Sequence, residues 1–141
     1  MNILVIDAQG GGIGRQLVSA VKAAHPEITV MAVGTNSAAT AAMLKAGADH
    51  GATGENAAVV CSRKTDLIVG PIGIVIADSM LGEITPAVAA AVGQSNAVRI
   101  LIPVSHCESI IAGTAGLNMN ALIQSAVDEI GRFCAKQARN S

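Results

Sequence analysis

The segment Asn2–Gly14, NILVIDAQGGGIG, decides how the chain is expected to fold. Its first half, Asn2–Asp7, is a short and nearly continuous apolar run with β-branched side chains, which is typical of a buried parallel strand. Gly10–Gly12 interrupt this run, and apolar residues then recur at helical spacing from about Ile13 to His25. The segment therefore predicts a strand, a glycine-rich turn and a helix, in that order.

The same alternation continues along the chain. Further strands are expected at Ile28–Val33, near Asp49–Ala52, at Asp66–Gly70 and at Val98–Val104. Helices are expected at Ala38–Ala46, at Ala57–Cys61 (with strand as the alternative), from Thr85-Pro86 to about Val92, and after Asn118. Ile74–Leu81 is compatible with a helix, and Ile110–Ala112 with a short sixth strand. Strands that alternate with helices indicate βαβ units, so we expect one three-layer, Rossmann-like, doubly wound α/β domain over residues 1–141, with a parallel sheet of five to six strands.

The composition is unusually apolar for a chain of 141 residues. Hydrophobic residues make up 51% and charged residues 13%, whereas about a quarter of residues are charged in a typical domain. Because so few charges are available to cover the surface, we expect a homo-oligomer in which copies bury apolar surface against each other. The alternative is an alanine-rich surface on a monomer.

Charge and hydropathy exclude several classes of partner. The net charge is −1 and no basic stripe or aromatic platform is present, which argues against nucleic acid. The N-terminal residues lack the features of a signal peptide, and the longest uncharged apolar run, Leu67–Ala77, is too short to span a bilayer. We therefore expect a cytoplasmic protein that does not enter a membrane.

Three widely spaced cysteines, Cys61, Cys107 and Cys134, form no CxxC pair, so we expect free thiols. Cys107 directly follows His106, a pair compatible with a metal site or a nucleophile. Since the side chains of adjacent residues usually diverge, a structural role is favoured.

The candidate ligand site is the edge of the sheet at which the parallel strands end. Four segments should reach it, namely Ala8–Gly14, Gly34–Asn36, Gly70–Gly73 and Pro103–His106. In Ala8–Gly14, four glycines lead into a helix whose first N–H groups and positive dipole end favour an anion. The candidate binding residues are Gln9, Gly10, Gly11, Gly12, Ile13, Gly14, Gly34, Thr35, Asn36, Gly70, Pro71 and Ile72. The alternative is a tight strand-to-helix turn that binds nothing.

Known phosphate-binding motifs fit this turn only in part. The dinucleotide pattern GxGxxG would place its first glycine at Gln9, and the P-loop pattern would need a lysine at Arg15. An NAD site usually has an acid at the end of its second strand, where this chain has Gly34-Thr35-Asn36. NAD is thereby disfavoured, which leaves NADP, another nucleotide or a different phosphorylated compound.

Catalytic residues are harder to place. Asp7 either repels an anion beside the turn or hydrogen-bonds the turn itself. Glu55, Asp78 and Glu83 could each be a general base or an acid with a structural role in a loop. The roles of His50 and His106 are left undecided in the same way. Three hypotheses follow: a nucleotide-binding sensor or regulatory subunit, a small enzyme that uses Asp7, Glu55 or Glu83 on a phosphorylated metabolite, or a structural oligomer.

Several segments together resemble a family of uncharacterised bacterial proteins, a domain of unknown function found mostly in anaerobic Gram-positive bacteria. They are Asp7–Gly14 (DAQGGGIG), Gly34–Asn36 (GTN), Lys45–Asp49 (KAGAD), Gly51–Ala57 (GATGENA), Gly70–Ile74 (GPIGI) and Ser79–Pro86 (SMLGEITP). The resemblance covers the whole chain and implies a Rossmann-like fold, but no activity or catalytic residue. Ala8 departs from the glycine expected at that position.

Overall fold

The computed structural model describes residues 1–104 and 109–141. Its sheet has five parallel strands in the order β3-β2-β1-β4-β5. The strands are β1 Asn2–Asp7, β2 Thr29–Gly34, β3 His50–Thr53, β4 Leu67–Pro71 and β5 Val98–Ile102. The α-helices are α1 Gly12–Ala24, α2 Ser37–Lys45, α3 Glu55–Cys61, α4 Pro86–Gln94 and α5 Met119–Asn140.

Two apolar clusters cover the two faces of this sheet. Ile3 and Val5 of β1 point to one face, where they pack with buried residues of α1, α2 and α5. Leu4 and Ile6 point to the other face, where α3 and α4 cover them. All four side chains are fully buried, as expected for a central strand of a parallel sheet. The predicted three-layer α/β fold is thus confirmed.

The strand order reverses beside β1. From β1 the chain moves outward through β2 to β3, and it then returns to β4 on the other side of β1 before it reaches β5. A crevice opens at such a switch point, between the segments that follow the two diverging strands. Here those segments are the glycine turn after β1 and the segment after β4.

Three helices begin at side-chain caps, and the caps of α4 and α5 are those expected from the sequence. Asn36 accepts the backbone N–H of Ala39 at 2.9 Å at the start of α2. Thr85 accepts that of Val88 at 3.2 Å at the start of α4, directly before Pro86. Asn118 caps α5 in the same way.

Two elements that the sequence leaves open do not form. Ile74–Leu81 is not an α-helix, because only Ile72–Val75 form a single 3₁₀ turn, and Asp78, Met80 and Leu81 have positive φ angles that no right-handed helix contains. Ile110–Ala112 is not a strand, so the part of the sheet within the described residues has five strands. The ambiguous segment Ala57–Cys61 is helical and belongs to α3.

Among the helices within residues 1–104 and 109–141, none is both long enough and apolar enough to cross a bilayer.

Gly34 provides a test of how closely β2 and α2 approach. A Cβ atom at Gly34 would lie 2.5 Å from the backbone nitrogen of Thr40 and 2.8 Å from the carbonyl oxygen of Asn36. Backbone atoms cannot move aside cheaply, so we predict that Gly34→Ala lowers the free energy of unfolding by about 2 kcal/mol or more. Urea denaturation followed by circular dichroism measures this change.

The matched control is Gly93→Ala. Gly93 is an exposed residue of α4, and a Cβ there would meet no atom within 4 Å. Because alanine forms helix better than glycine, this variant should be more stable by about 0.5–1 kcal/mol. Equal stability of Gly34→Ala and the wild type would contradict the close approach.

Candidate functional site

The turn between β1 and α1 is tight and has a defined geometry. Gln9 has a φ of 53° and Gly11 a φ of 72°, both in the left-handed region. The N–H of Gly11 donates to the carbonyl oxygen of Ala8 at 3.0 Å, and Gly11 is the N-cap of α1. Since a glycine N-cap offers no side chain, the first N–H groups of α1 depend on other acceptors.

Two of the four glycines are required by packing. A Cβ at Gly11 would lie 2.9 Å from the Cα of Ala39 in α2. A Cβ at Gly14 would lie 2.6 Å from the sulfur of Met43 and 2.8 Å from the Cβ of Asp7. These glycines allow α1 to approach both α2 and the end of β1, so the fold itself accounts for them.

The other two glycines, Gly10 and Gly12, are not required by the fold. A Cβ at either position would meet no atom within 4 Å, and neither residue has a positive φ. Both are exposed. Within the described residues, their backbone N–H groups donate to no hydrogen-bond acceptor. The turn therefore presents two free donors with no side chain in front of them.

These donors face a small cleft at the switch point. The cleft has a volume of about 160 Å³ and lies between the glycine turn, Pro71 at the end of β4, and Met80. Its lining residues are Asp7, Ala8, Gln9, Gly10, Gly12, Ile13, Pro71 and Met80.

The remaining predicted site residues, namely Gly11, Gly14, Gly34, Thr35, Asn36, Gly70 and Ile72, are not among the residues that line this cleft. Gly11 and Gly14 are buried in the turn itself, and Gly70 is a packing glycine whose Cβ would lie 2.5 Å from the carbonyl oxygen of Ile6. Ile72 lines a neighbouring, more apolar cavity of about 350 Å³, which also reaches Met80. Met80 thus separates the two cavities.

The carboxylate of Asp7 lies beneath the turn. Oδ1 accepts the N–H of Ala8 at 2.8 Å and Oδ2 accepts that of Gly14 at 2.7 Å, and the side chain is almost fully buried. Burial raises the pKa of Asp7, and the hydrogen bonds from Gly14 and Ala8 oppose that rise. The interpretation that Asp7 hydrogen-bonds the turn is confirmed. Its charge also offsets part of the positive end of the α1 dipole.

Glu83 joins three segments that are distant in the sequence. Its Oε1 accepts the N–H of Gln9 at 2.9 Å, the hydroxyl of Thr35 at 2.7 Å and the amide Nδ2 of Asn36 at 2.8 Å. The bond from Thr35 contributes most to lowering the pKa of Glu83, followed by the bond from Gln9. Glu83 is therefore ionised at neutral pH and lies at the carboxyl end of β2.

This arrangement changes the expected role of Thr35 and Asn36. The Thr35 hydroxyl donates to Glu83, and the Asn36 amide donates to Glu83 and to the carbonyl oxygen of Gln9 while its oxygen caps α2. Their donors are engaged within the protein, so they position Glu83.

Glu83 follows a loop with an uncommon backbone. Asp78, Met80 and Leu81 have φ angles of 64°, 55° and 58°, and Gly82 has a φ of 85°. The left-handed conformation costs a non-glycine residue about 1–2 kcal/mol. The loop is closed by the Asp78 N–H, which donates to the carbonyl oxygen of Ile84 at 2.7 Å. Met80 is buried inside the loop, whereas the side chain of Leu81 is 89% exposed.

The other candidate residues are not brought to the cleft. Glu55 is exposed and accepts the hydroxyl of Thr85 at 2.6 Å, and Asp78 and His50 are exposed on the surface. Cys61 and Cys134 are half-buried free thiols. His106, Cys107 and the end of the segment Pro103–His106 lie outside the described residues. Across the described part of the chain, no group of three or more His, Cys, Asp or Glu side chains could hold a metal ion.

The fold and the crevice define a Rossmann-like α/β protein with a glycine turn at its switch point. The chain belongs to the family "Domain of unknown function (DUF3842)", whose model matches residues 2–135. The resemblance to an uncharacterised family is thereby confirmed, and its distribution among anaerobic Gram-positive bacteria stays a prediction.

Comparison with solved structures gives a similar chain described as a dodecameric FMN-dependent Ubix-like decarboxylase from Escherichia coli O157:H7. The two chains are 13% identical, with a TM-score of 0.46 over 93% of this chain and 94% of the other. No curated protein matches the chain.

We predict that Glu83 makes the stability of the fold depend on pH in the acid range. Its pKa is lowered in the folded state, so its contribution is present above the unfolded-state pKa and is lost as the pH falls through the folded-state pKa. The free energy of unfolding of Glu83→Gln should therefore vary less over that interval. Urea denaturation at several acid pH values, followed by circular dichroism, measures the difference.

Glu55→Gln is the matched control, because it removes one carboxylate without touching the turn. Coincident pH profiles for the wild type and Glu83→Gln would show that the three hydrogen bonds do not act as described.

Proposed function

We propose that this protein binds a phosphate-bearing small molecule, a nucleotide foremost, at the glycine turn. Residues 1–141 would act as one domain, and the protein would serve as a sensor or regulatory subunit in a homo-oligomer. The observation that carries the proposal is the pair Gly10 and Gly12, whose lack of side chains serves no contact within the fold.

Glycine at these two positions has a cost. It loses more conformational freedom on folding than any other residue, and Gly12 is the first residue of α1, where other residues would be tolerated. Glycines at a strand-to-helix turn let a ligand approach the backbone closely, and the free N–H groups there are suited to an anion. A bound phosphate gives a reason for both residues that packing does not.

The size of the cleft indicates how the ligand would lie. A volume of about 160 Å³ suits a phosphate group rather than a whole nucleotide. The rest of the molecule would extend along the edge of the sheet, either toward Glu83 at the end of β2 or into the apolar cavity beyond Met80. A phosphate in the cleft would thus anchor one part of a longer ligand.

The charges around the cleft select the type of phosphate. Within the described residues, no lysine or arginine lines the cleft, whereas Asp7 lines it and the carboxylate of Glu83 accepts the N–H of another lining residue, Gln9. An anion would be held by backbone N–H groups against two negative charges. A phosphate that carries one charge, such as a phosphodiester, the diphosphate of a dinucleotide or the α-phosphate of a nucleoside diphosphate, suits this environment better than a dianionic phosphate monoester.

A sensor role is supported by the loop Asp78–Gly82. Met80 in this loop lines the cleft, and Leu81 beside it projects into solvent. A ligand that binds in the cleft and contacts Met80 would therefore also affect the position of the exposed apolar side chain of Leu81. With only 13% charged residues in the sequence, surfaces of this kind favour contact with another copy.

The test is Gly12→Val with adenosine diphosphate as the probe. A Cβ at Gly12 would meet no atom within 4 Å, and the branched side chain of valine would occupy the approach to the free N–H groups. Adenosine diphosphate should raise the melting temperature of the wild type and leave that of Gly12→Val unchanged, because a ligand stabilises only a state to which it binds. Gly93→Ala controls for a glycine substitution away from the cleft.

A second readout needs no chosen ligand. The chain has no Trp or Tyr, so a nucleotide retained through desalting would dominate the near-ultraviolet absorbance and could be identified by mass spectrometry. The proposal fails if wild-type protein carries no nucleotide and responds to neither adenosine diphosphate nor inorganic phosphate. The structural oligomer would then be the better explanation.

A further inference from the structure

The carboxyl end of β2 carries an acid that does not belong to β2. Gly34 ends the strand and is followed by Thr35 and Asn36, so the position at which dinucleotide-binding proteins usually have an aspartate or glutamate contains none. Glu83, from a distant part of the sequence, supplies a carboxylate at this position. Its Oε1 lies 2.7 Å from the Thr35 hydroxyl and 2.8 Å from the amide nitrogen of Asn36.

The same oxygen also bonds the glycine turn. The N–H of Gln9 donates to it at 2.9 Å, so the carboxylate lies between the turn and the end of β2. A sugar attached to a phosphate in the cleft would lie in this region, because, of the two proposed phosphate donors, Gly10 follows Gln9 directly and Gly12 lies two residues further on.

The second carboxylate oxygen of Glu83, Oε2, is available to a ligand. All three hydrogen bonds end on Oε1, and within the described residues Oε2 accepts none. The side chain is partly exposed, so a hydroxyl group of a ligand can reach it. The protein thus holds a fixed carboxylate by one oxygen and presents the other.

We infer that Glu83 recognises the free ribose hydroxyls of a nucleotide and excludes a ribose that carries a 2′-phosphate. The inference rests on the proposed function, since it concerns the sugar next to the proposed phosphate. An ionised carboxylate accepts hydrogen bonds from a vicinal diol, whereas a phosphate at the same place would bring two negative groups together. The ligand class is therefore a nucleotide diphosphate of the NAD type, and NADP is disfavoured.

The backbone of the preceding loop supports this role. Asp78, Met80 and Leu81 adopt left-handed conformations just before Glu83, and such strain is retained mainly where it holds a functional group in place. Asn36 and Thr35, which are fully engaged by Glu83 and the turn, fix the carboxylate from the other side.

The experiment compares NAD with NADP, which differ only in the 2′-phosphate. Isothermal titration calorimetry on the wild type should give a Kd for NAD lower than that for NADP by about tenfold or more. Glu83→Gln keeps an oxygen for the three internal donors but removes the charge, so the ratio of the two Kd values should fall to near one. Gly12→Val should bind neither.

A second pair of probes tests the hydroxyl directly. Adenosine diphosphate should bind the wild type more tightly than its 2′-deoxy analogue, and Glu83→Gln should discriminate less between them. Because both comparisons can be made on wild-type protein, the inference stays testable even if Glu83→Gln does not fold.

Each outcome decides a different point. If the wild type binds NAD and NADP equally, or prefers NADP, while Gly12→Val loses both, the role of Glu83 is wrong and the phosphate site stands. If the wild type binds inorganic phosphate but no nucleotide, the inference also fails and only the anion site is kept. If it binds none of the probes, the proposed function fails as well.

Discussion

The buried carboxylate of Asp7 is the constraint on which the architecture around β1 depends. It accepts the N–H groups of Ala8 and Gly14, so it ties the last residue of the central strand to the first turn of α1. Burying a charge is unfavourable unless it is well hydrogen-bonded, and the raised pKa of Asp7 reflects that cost. The close packing of α1 then follows, because only glycine at position 14 leaves room for the Asp7 side chain and the Met43 sulfur.

The same interaction governs what the turn can bind. A helix start usually attracts anions through its dipole, an effect worth about 0.3–1 kcal/mol for an exposed charge. Here the carboxylate takes up one of the free donors and lies under the others. Recognition of a ligand would therefore depend less on net charge than on the placement of the donors at Gly10 and Gly12. If the proposed function holds, a site of this kind would favour ligands that carry their charge on bridging phosphates and that also offer hydroxyl groups to Glu83.

The sequence predicts the fold well where one local pattern decides the structure. The apolar run Asn2–Asp7, the glycines after it, and the caps at Thr85 and Asn118 each produce the expected element. The segment Ile74–Leu81 misleads because its apolar residues are typical of a helix, while nothing in residues such as Leu81 signals a left-handed backbone. Ile110–Ala112 has β-branched residues but forms no strand.

The same distinction applies to the candidate site, since one part of it is predictable from a local sequence pattern and the other part is not. Its glycine turn is visible in the sequence because strand, turn and helix are contiguous. The role of Glu83 is not visible in the sequence, because its partners Gln9 and Thr35 are 74 and 48 residues away. The loop that carries Glu83 also has no regular pattern. Contacts of that range depend on the tertiary structure, so a single sequence gives no indication of them.

The central position of β1 has a consequence for how the chain acquires its structure during synthesis. β1 is synthesised before the other strands, and it can pair with β2 as soon as that next strand has been made. Its other edge stays unpaired until β4, which begins at Leu67, has been made. The face formed by Leu4 and Ile6 stays uncovered for longer, because α4, which packs on it, extends to Gln94. A nascent chain thus presents an apolar strand with one open edge until β4 has been made, and such edges are prone to pair with other chains. Protection of this strand by chaperones, or rapid completion of the chain, would matter more for this fold than for one whose first strand lies at the edge of the sheet.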